Sequence, residues 1–531
     1  MRKRGDSPLP QPGKHPERWS RRRRLYIQFT SQISPAYSAA MPIAVDTFFL
    51  NPDAPGTLQA QVQQMIAEGI LSGRFHIGEK LPSSRKLASH LGVSRITVTL
   101  AYTELVANDY LTSRGRSGYY VSENAPVPPV YSPRPRAADT VDWTRAIAQR
   151  FTGGDTPHKP VGWRDFRYPF IYGQADPTLF DHTNWRHCAL RALGQKDFAA
   201  LTDDYFDRDD PLLVEYIARH TLPRRGISAR PEEILITLGA QNALWIAARV
   251  LLNHRRRAVI EDPCYPAQRD LLTHAGCQLT PVRVDADGLP PDAIPADTDV
   301  IFTSPSHQCP TTATMPLERR RALLAHARDI DALVVEDDYE FEMAFLAAPS
   351  PALKSLDEDG RVIYVGSFSK SLFPGLRLGY MVGSEPFIRE ARALRATMLR
   401  HPPGHMQRTT AYFLSLGHYD SQIRRMGAAL HDRRAAMEAA ISAHGLSIAG
   451  RGVYGGSSLW MRAPEGTDSA QLAARLQAQS VFIEPGAPFF AGPERAKRYY
   501  RLGYSSIPVA RIGDGIARIA EALGQMQADD G

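Results

Sequence analysis

The sequence has few cysteines, and their spacing matches no metal-binding or disulfide framework. Its 531 residues include four cysteines, with no CxxC pair and no Cys/His spacing of the kind that holds zinc. No apolar run approaches the roughly 20 residues of a membrane-spanning helix, and the N-terminus lacks the continuous apolar stretch of a secretory signal. These absences predict a cytoplasmic protein with reduced thiols, no metal site and no contact with a membrane.

Most of the chain also lacks an excess of charge of either sign. The net charge of +7 is matched by residues 1–40 alone, which contain nine basic and two acidic residues, including Arg21–Arg24. Such a run adds salt-dependent affinity for phosphate backbones. A disordered extension, or a true start at Met41, is the simpler explanation. We therefore predict that residues 1–50 form a disordered basic extension, and we argue DNA binding from other residues.

The remaining chain is too long for one hydrophobic core and divides into two predicted domains. Residues 51–122 have helical periodicity, residues 123–163 form a Pro-rich linker, and residues 164–528 alternate helical stretches with short β-branched runs. This alternation predicts βαβ units and a mostly parallel sheet, followed by a smaller C-terminal α+β subdomain. The predicted strands are 233–237, 257–263, 299–305, 332–339 and 361–369.

The first predicted domain, which is mostly α-helical, carries a helix-turn-helix pattern. A short helix begins near Ser83, Gly92 allows a tight turn, and Ser94 caps a second helix. The stretch YLTSRGRSGYYV that follows indicates two short strands around a Gly-rich tip, the wing. The first turn of the second helix, which includes Ile96, is expected in a major groove, and the wing arginines at phosphates or a minor groove. The candidate DNA contacts are Ser94, Arg95, Thr97, Arg114 and Arg116.

Carboxylates end one strand of the second predicted domain. In VVEDDY, Asp337 and Tyr339 are two residues apart, so they point to the same side of an extended segment. A carboxylate beside a pyridine nitrogen keeps that nitrogen protonated, which makes the ring an electron sink. Glu336 is the competing candidate and points to the other side.

A lysine among hydroxyl side chains follows the next strand. In GSFSKSLFPGLRLGY, Lys370 lies between Ser369 and Ser371, with Ser367 before it and Arg377 after it. A lysine amine can form a Schiff base with an aldehyde cofactor, and hydroxyls with an arginine suit a phosphate. In isolation, such a lysine is equally consistent with a surface loop.

Two further segments fit a phosphate-bearing ring. In LITLGAQNALWIA, a strand leads through Gly239 into a helix whose first amides can hold phosphate. In EDPCYP, Tyr265 follows a strand, where it either stacks on a cofactor ring or packs in the core.

These segments resemble known families. LPSSRKLASHLGVSRITVTLAYTEL with its wing resembles the DNA-binding domain of the GntR family, and residues 165–525 resemble fold-type I aminotransferases. The whole chain, with DPTLFDHTNWR, SPSHQCPTT, VEDDYEFE and GSFSKSLFPGLRLGY, resembles the MocR (GabR-like) subfamily of GntR regulators. The resemblance implies a winged helix-turn-helix fused to a large α/β domain with the fold of transferases dependent on pyridoxal 5'-phosphate (PLP).

The resemblance also implies roles for individual residues. Lys370 would carry PLP as an aldimine, Asp337 would face the pyridine nitrogen, Tyr339 the 3'-oxygen, and Tyr265 would stack on the ring. Arg501, in YYRLGY, would hold the carboxylate of an effector, unless it is a structural arginine. The implied phosphate-binding residues are Gly239, Ala240, Gln241, Ser367, Ser369 and Arg377, and the implied operator contacts include Arg85.

The implied function is a PLP-dependent transcription regulator that binds double-stranded operator DNA as a homodimer. Through Lys370 it would sense an amino acid, another amine or PLP itself. The alternative is a PLP-dependent aminotransferase with an appended DNA-binding domain, and a residual half-transamination is compatible with the regulator. We favour the regulator, because the DNA-binding domain has no evident use in a metabolic enzyme.

Some positions depart from the subfamily pattern. Thr312 stands where glycine is usual, and Cys309 where an aromatic residue is more common. The segment 205–216 carries Asp207–Asp210 and Val214-Glu215 in place of the expected residues. We therefore expect the effector or the dimer contacts to differ from those of other members.

Overall fold

The computed structural model describes residues 42–51, 56–126, 140–152, 159–204, 206–450, 452–492 and 497–530. The chain divides into two compact units, residues 1–146 and 147–531. Most of the predicted basic extension, residues 1–41, lies outside the described residues, as do 127–139 and 153–158 of the predicted linker. Within the described ranges, no helix combines the length and apolar character needed to cross a membrane.

The first unit contains the helix-turn-helix and its wing, as predicted. The side chains of Ser83 and Ser94 cap the two helices of the motif by accepting hydrogen bonds from the amides of Lys86 and Thr97. Gly92 ends the first of them at φ 68°, a left-handed conformation that favours glycine. The elements are α1 (Leu58–Leu71), α2 (Ser84–Leu91), α3 (Arg95–Ala107), α4 (Trp143–Ala146) and the antiparallel wing strands β1 (Leu111–Ser113) and β2 (Tyr119–Val121).

Residues 42–50 differ from the predicted disordered extension. Phe48 is fully buried in the core of this unit, and its ring centroid lies 5.5 Å from that of Phe75. The carbonyl oxygen of Phe48 is hydrogen-bonded to the His90 ring. The apolar residues of this segment therefore belong to the core of the unit. The sequence analysis assigned them to the extension because the residues before them are strongly basic.

The second unit is built on a seven-stranded sheet in the order β4-β10-β9-β8-β7-β5-β6, and it confirms the predicted transferase-like fold. All neighbouring strands are parallel except β10, which is antiparallel to both of its neighbours. The strands are β4 (Ile234–Thr237), β5 (Arg257–Asp262), β6 (Gln278–Arg283), β7 (Val300–Thr303), β8 (Leu333–Asp337), β9 (Val362–Ser367) and β10 (Gly379–Val382).

Helices cover this sheet and continue into the C-terminal part of the chain. Apolar faces of several of them pack on the sheet in shared core clusters. The helices are α5 (His182–Ala192), α6 (Gln195–Thr202), α7 (Pro211–Tyr216), α8 (Ala240–Leu251), α9 (Pro266–Ala275), α10 (Leu317–Asp329), α11 (Glu385–Leu399), α12 (Gly404–Ser415), α13 (His418–Ala443), α14 (Ser469–Ala478) and α15 (Val509–Asp530).

A smaller sheet forms the predicted C-terminal α+β part, in the order β11-β12-β15-β14. The antiparallel register of its last two strands places Glu484 directly opposite Arg501. A separate two-stranded pair, β3 with β13, joins the beginning of the unit to this region. The strands are β3 (Tyr168–Pro169), β11 (Ser447–Ile448), β12 (Ser458–Arg462), β13 (Val481–Phe482), β14 (Glu484–Pro485) and β15 (Tyr499–Gly503).

One residue of the acidic segment, Asp209, forms ion pairs with two arginines of α11. The Asp209 carboxylate accepts hydrogen bonds from Arg392 at 2.7 Å and from Arg395 at 2.5 Å. The side chains of Asp209 and Arg395 are both fully buried. A buried guanidinium needs such a partner, because an unpaired buried charge is strongly destabilising. This departure from the subfamily pattern is therefore coupled to the packing of α11.

Candidate functional site

The predicted cofactor residues lie where parallel strands end. Strand β4 leads through Gly239 into α8, β5 is followed by Tyr265, β8 ends in Asp337 and β9 ends in Ser367. The carboxyl ends of parallel strands meet at one edge of a sheet, where ligands bind in folds of this kind. All predicted cofactor residues except Gly239 line one cavity of about 260 Å³ at this edge, together with Lys370 and Arg501.

The Lys370 amine is enclosed by residues from distant parts of the chain. Its Nζ lies 4.0 Å from the centroid of the Tyr172 ring. Gly173 has φ 72°, a left-handed conformation that favours glycine, and a Cβ atom there would lie 2.4 Å from that Nζ. Burial lowers the pKa of Lys370 to about 8, against the opposing charge of Glu340. An appreciable fraction of the amine is therefore neutral and nucleophilic at mildly basic pH.

Neighbouring carboxylates on β8 have separate environments. Asp337 lines the cavity, and its Oδ1 is buried without a hydrogen-bond partner among the described residues. Burial, with the charge of Asp338, raises the pKa of Asp337 to about 7. Glu336 instead accepts hydrogen bonds from the amides of Leu353 and Lys354 at 2.8 and 2.9 Å. The orientations follow the alternation of the strand, so Asp337 is the carboxylate available to a ligand.

The other end of the cavity has the properties of an anion site. Gly239 precedes α8 at φ 83°, and a Cβ atom there would lie 3.4 Å from Arg377 Nη2 and 3.6 Å from Ser369 Oγ. Ser369 Oγ is buried and has no partner in the described part of the chain, while the Ser369 amide donates to Ser367 Oγ. The first amides of α8, a guanidinium and a hydroxyl thus surround a space that a side chain at position 239 would fill.

These residues fit PLP by their chemistry. The amine of Lys370 suits its aldehyde, the unpartnered oxygen of Asp337 suits a protonated ring nitrogen, and the cradle at Gly239, Ser369 and Arg377 suits its phosphate. Tyr265 and Tyr339 line the same cavity. The fit rests on orphaned buried polar atoms, which native proteins pair with a ligand, an ion or water.

Arg501 has a partner that the sequence did not reveal. Its Nε donates to Glu484 Oε2 at 2.7 Å, and both side chains are almost fully buried. Its Cζ lies 3.9 Å from the centroid of Tyr172, and its Nη1 donates to Cys309 Sγ at 3.7 Å. An effector carboxylate would therefore meet an arginine whose charge is already balanced.

Sequence reasoning also missed Lys159, Tyr172 and Gly173, which line the cavity from the N-terminal side of the unit. These residues come from a region whose position depends on the completed fold. The spacing of neighbouring residues in the sequence does not indicate that such residues reach the cavity. The predicted cofactor residues, in contrast, lie at or just after the ends of strands. The pairing of Glu484 with Arg501 required the register between β14 and β15.

The candidate DNA contacts lie on α2, on α3 and in the wing. Arg85, Arg95 and Arg116 have exposed side chains, and the Arg114 guanidinium lies 4.6 Å from the centroid of Tyr120. Ser94 caps α3, and its hydroxyl is also hydrogen-bonded to that of Thr97 at 2.8 Å. Helix α3 also exposes two apolar residues, Ile96 at 71% and Leu100 at 49%, and Ile96 belongs to the first turn that the sequence places in a major groove.

Comparisons with known proteins agree with this architecture. Residues 58–121 match the model "Bacterial regulatory proteins, gntR family", and residues 181–519 match "Aminotransferase class I and II". The chain is 57% identical over 483 residues to the HTH-type transcriptional regulator TauR of Rhodobacter capsulatus. This alignment covers 91% of this chain and 100% of that protein. It is 30% identical to the probable rhizopine catabolism regulatory protein MocR of Rhizobium meliloti, over 89% of this chain and 95% of that one.

A solved structure supports the fold of the second unit. The α-aminoadipate aminotransferase LysN of Thermus thermophilus superposes with a TM-score of 0.65 at 26% identity. The match covers 73% of this chain and 100% of that one.

The lowered pKa of Lys370 predicts a pH dependence for its reaction with an aldehyde. A lysine at its ordinary value would become reactive only as the pH approaches 10.5, whereas the midpoint here is expected near 8. The rate is therefore expected to rise between about pH 7 and 9 and to level off above. It is measured as borohydride-trapped PLP on the peptide that contains residue 370, with the exposed Lys196 as the internal control. A midpoint near 10.5 would show that the amine is solvated.

Proposed function

The chain belongs to the MocR subfamily of GntR transcription regulators, and we propose that PLP held by Lys370, and an amine that reaches it, control operator binding. It is a DNA-binding regulator with an aminotransferase-like domain. On this proposal, residues 51–122 bind DNA, residues 123–163 act as a linker, and residues 164–528 hold the cofactor.

One observation carries the proposal. The amine of Lys370, with its lowered pKa, and the unpartnered carboxylate oxygen of Asp337 line the same cavity. A buried amine and a buried carboxylate that do not pair with each other impose a desolvation cost on the folded chain. Perturbed ionisable groups that converge in a cavity are typical of functional sites. In an aminotransferase-like domain, this combination is the one that PLP requires.

Each residue of the cavity has a role in this proposal. PLP supplies an aldehyde that condenses with primary amines and a ring that withdraws electrons. Lys370 would supply the amine that anchors it, and Asp337 would hold a proton at the ring nitrogen. Tyr339 would hydrogen-bond the ring hydroxyl, and Tyr265 would pack on the ring. The phosphate would be held at the N-terminal end of α8 and by the side chains beside it: Gly239, Ala240, Gln241, Ser367, Ser369 and Arg377.

Regulation would follow from competition between Lys370 and a second amine for the aldehyde of PLP. The Lys370 amine, once released, would lie beside Tyr172 and would hold the proton given up by the incoming amine. The charge on that wall of the cavity then changes, in a region where Glu340 and Arg501 also act on the pKa of Lys370. This change affects DNA binding if two states of the protein differ in their affinity for the amine.

We also propose that the chain acts as a homodimer in the cytoplasm. Support comes from the DNA-binding domain, since regulators with a helix-turn-helix commonly bind two half-sites as dimers. The resemblance to fold-type I aminotransferases also implies a site that is completed across a dimer interface. Arg85, Arg95 and Thr97, together with wing residues Arg114 and Arg116, would contact each half-site, while Ser94 holds the start of α3 in place.

Replacement of Lys370 by alanine is expected to remove the bound cofactor. Without the amine, no covalent link to the chain forms, so the visible absorption of lysine-bound PLP and its borohydride-trapped adduct should both be lost. Absorption spectra and peptide mapping measure this, and Lys196→Ala should retain both signals. An adduct that persists in Lys370→Ala would overturn the assignment. Sustained turnover of amino donor and keto acid at about 1 s⁻¹ or more by the wild type would favour a working aminotransferase.

Replacement of Arg95 by alanine is expected to weaken sequence-specific binding to the DNA upstream of the gene by about tenfold or more, because a base contact is lost. Gel shifts at fixed salt measure the affinity, and the visible spectrum of bound PLP should be unchanged. Arg321→Ala removes an exposed arginine from the second unit and serves as the matched control. Equal affinities of Arg95→Ala and the wild type would contradict the assignment of α3 as the recognition helix.

A further inference from the structure

Two apolar side chains of α3 are exposed on the side of the helix away from its core. Ile96 is 71% exposed and Leu100 is 49% exposed, and neither is part of the hydrophobic core that the described residues of the first unit form. Residues four apart are neighbours on a helix surface, so these two side chains form one apolar ridge. The opposite side of α3 is buried through Val98, Ala101, Tyr102 and Leu105.

The threonine hydroxyls next to this apolar ridge are used within the helix. Thr99 Oγ1 donates a hydrogen bond to the Arg95 carbonyl at 2.9 Å, and Thr103 Oγ1 donates one to the Thr99 carbonyl at 3.0 Å. A hydroxyl has a single hydrogen to donate, so neither threonine has a free donor for a base. Beside the apolar ridge, this side of α3 therefore offers carbon surface in place of free donors.

The surroundings of the apolar ridge are suited to nucleic acid. Arg95 precedes it on the same helix, Arg85 lies on the neighbouring helix α2, and both side chains are exposed. Residues 58–121, which include all of these, match the gntR family of regulators. Two apolar side chains also supply little of the roughly 800 Å² per partner that a stable protein interface buries. A groove lined by phosphates is therefore a better partner for this surface than a second protein.

The edges of the bases offer one apolar group in the major groove, the 5-methyl group of thymine. Ile96 and Leu100 are four residues apart, which is about 6 Å along a helix axis. Successive base pairs are about 3.4 Å apart, so the apolar ridge spans about two of them. Its length and its chemistry therefore fit methyl groups on neighbouring base pairs.

We propose that Ile96 and Leu100 contact the 5-methyl groups of thymines at neighbouring base pairs of each half-site. They are then specificity-determining residues, which favour thymine over cytosine at positions that Arg95 and Thr97 do not read. This inference rests on the proposed function, because it requires that α3 is the helix that enters the major groove. It adds an apolar contribution to the polar contacts assigned there.

Replacement of thymine by uracil tests the inference, because the two bases differ only in the 5-methyl group. The DNA upstream of the gene is amplified with dTTP or with dUTP, and the full-length protein is titrated onto each fragment at fixed salt, with and without PLP, by fluorescence anisotropy. The wild type is expected to bind the thymine fragment at least about tenfold more tightly. Each lost methyl contact costs about fourfold, and the contacts recur in both half-sites.

Variants of the apolar ridge show whether these side chains read the methyl groups. Ile96→Ala is expected to bind the thymine fragment about tenfold more weakly than the wild type, and the uracil fragment within about threefold of it. Leu100→Ala should act in the same direction. The salt dependence of binding should not change, because no phosphate contact is lost. Leu58→Ala removes a leucine of 50% exposure at the start of α1 and should match the wild type on both fragments.

The possible failures are distinct from one another. A wild type that binds neither fragment better than unrelated DNA would refute the proposed function. Specific binding with equal affinity for both fragments would overturn the inference alone. So would an undiminished preference for thymine in the double variant of Ile96→Ala and Leu100→Ala, because the preference would then arise elsewhere. A changed sedimentation coefficient of either variant without DNA would assign the apolar ridge to an interface between copies of the chain.

Discussion

The geometry of the second unit depends on one constraint, the meeting of parallel strand ends at a single edge of the large sheet. Strands β4, β5, β8 and β9 each deliver a functional residue at that edge, although these residues are spread over more than one hundred positions of the chain, from Gly239 to Ser367. The antiparallel strand β10 lies between β4 and β9 and brings Arg377, just before it, to the same place. The cavity is therefore a direct consequence of the topology.

Burial determines the chemistry of the groups collected there. Burial raises the pKa of Asp337 and lowers that of Lys370. Near neutral pH, a larger fraction of each group is therefore uncharged than it would be in water. Arg501 remains charged because Glu484 offsets its desolvation. The cavity thus combines a nucleophilic amine, an unpartnered carboxylate and a compensated guanidinium. A regulator can keep these groups without catalysing a reaction, because recognition of an amine requires only that the amine be bound.

Residues next to strand or helix ends were predictable from the sequence, whereas residues that depend on register were not. Ser94, Asp337 and Lys370 follow from a cap or a strand end, and the structure places them where local patterns indicate. Glu484 meets Arg501 through cross-strand register, and Lys159 reaches the cavity from a segment with no regular pattern. Phe48 was misassigned because its segment follows a strongly basic run, yet it packs in the core of the first unit.

The central claim is that occupancy of the cavity at Lys370 is coupled to operator binding. Its most direct test is the affinity for the upstream DNA, measured by fluorescence anisotropy at fixed salt without PLP, with PLP, and with PLP and a primary amine, for which β-alanine serves as the probe. We expect at least one of these additions to change the affinity of the wild type by about fivefold or more. Neither addition is expected to change the affinity of Lys370→Ala. Identical affinities for the wild type in all three conditions, or the same change in Lys370→Ala, would contradict this coupling.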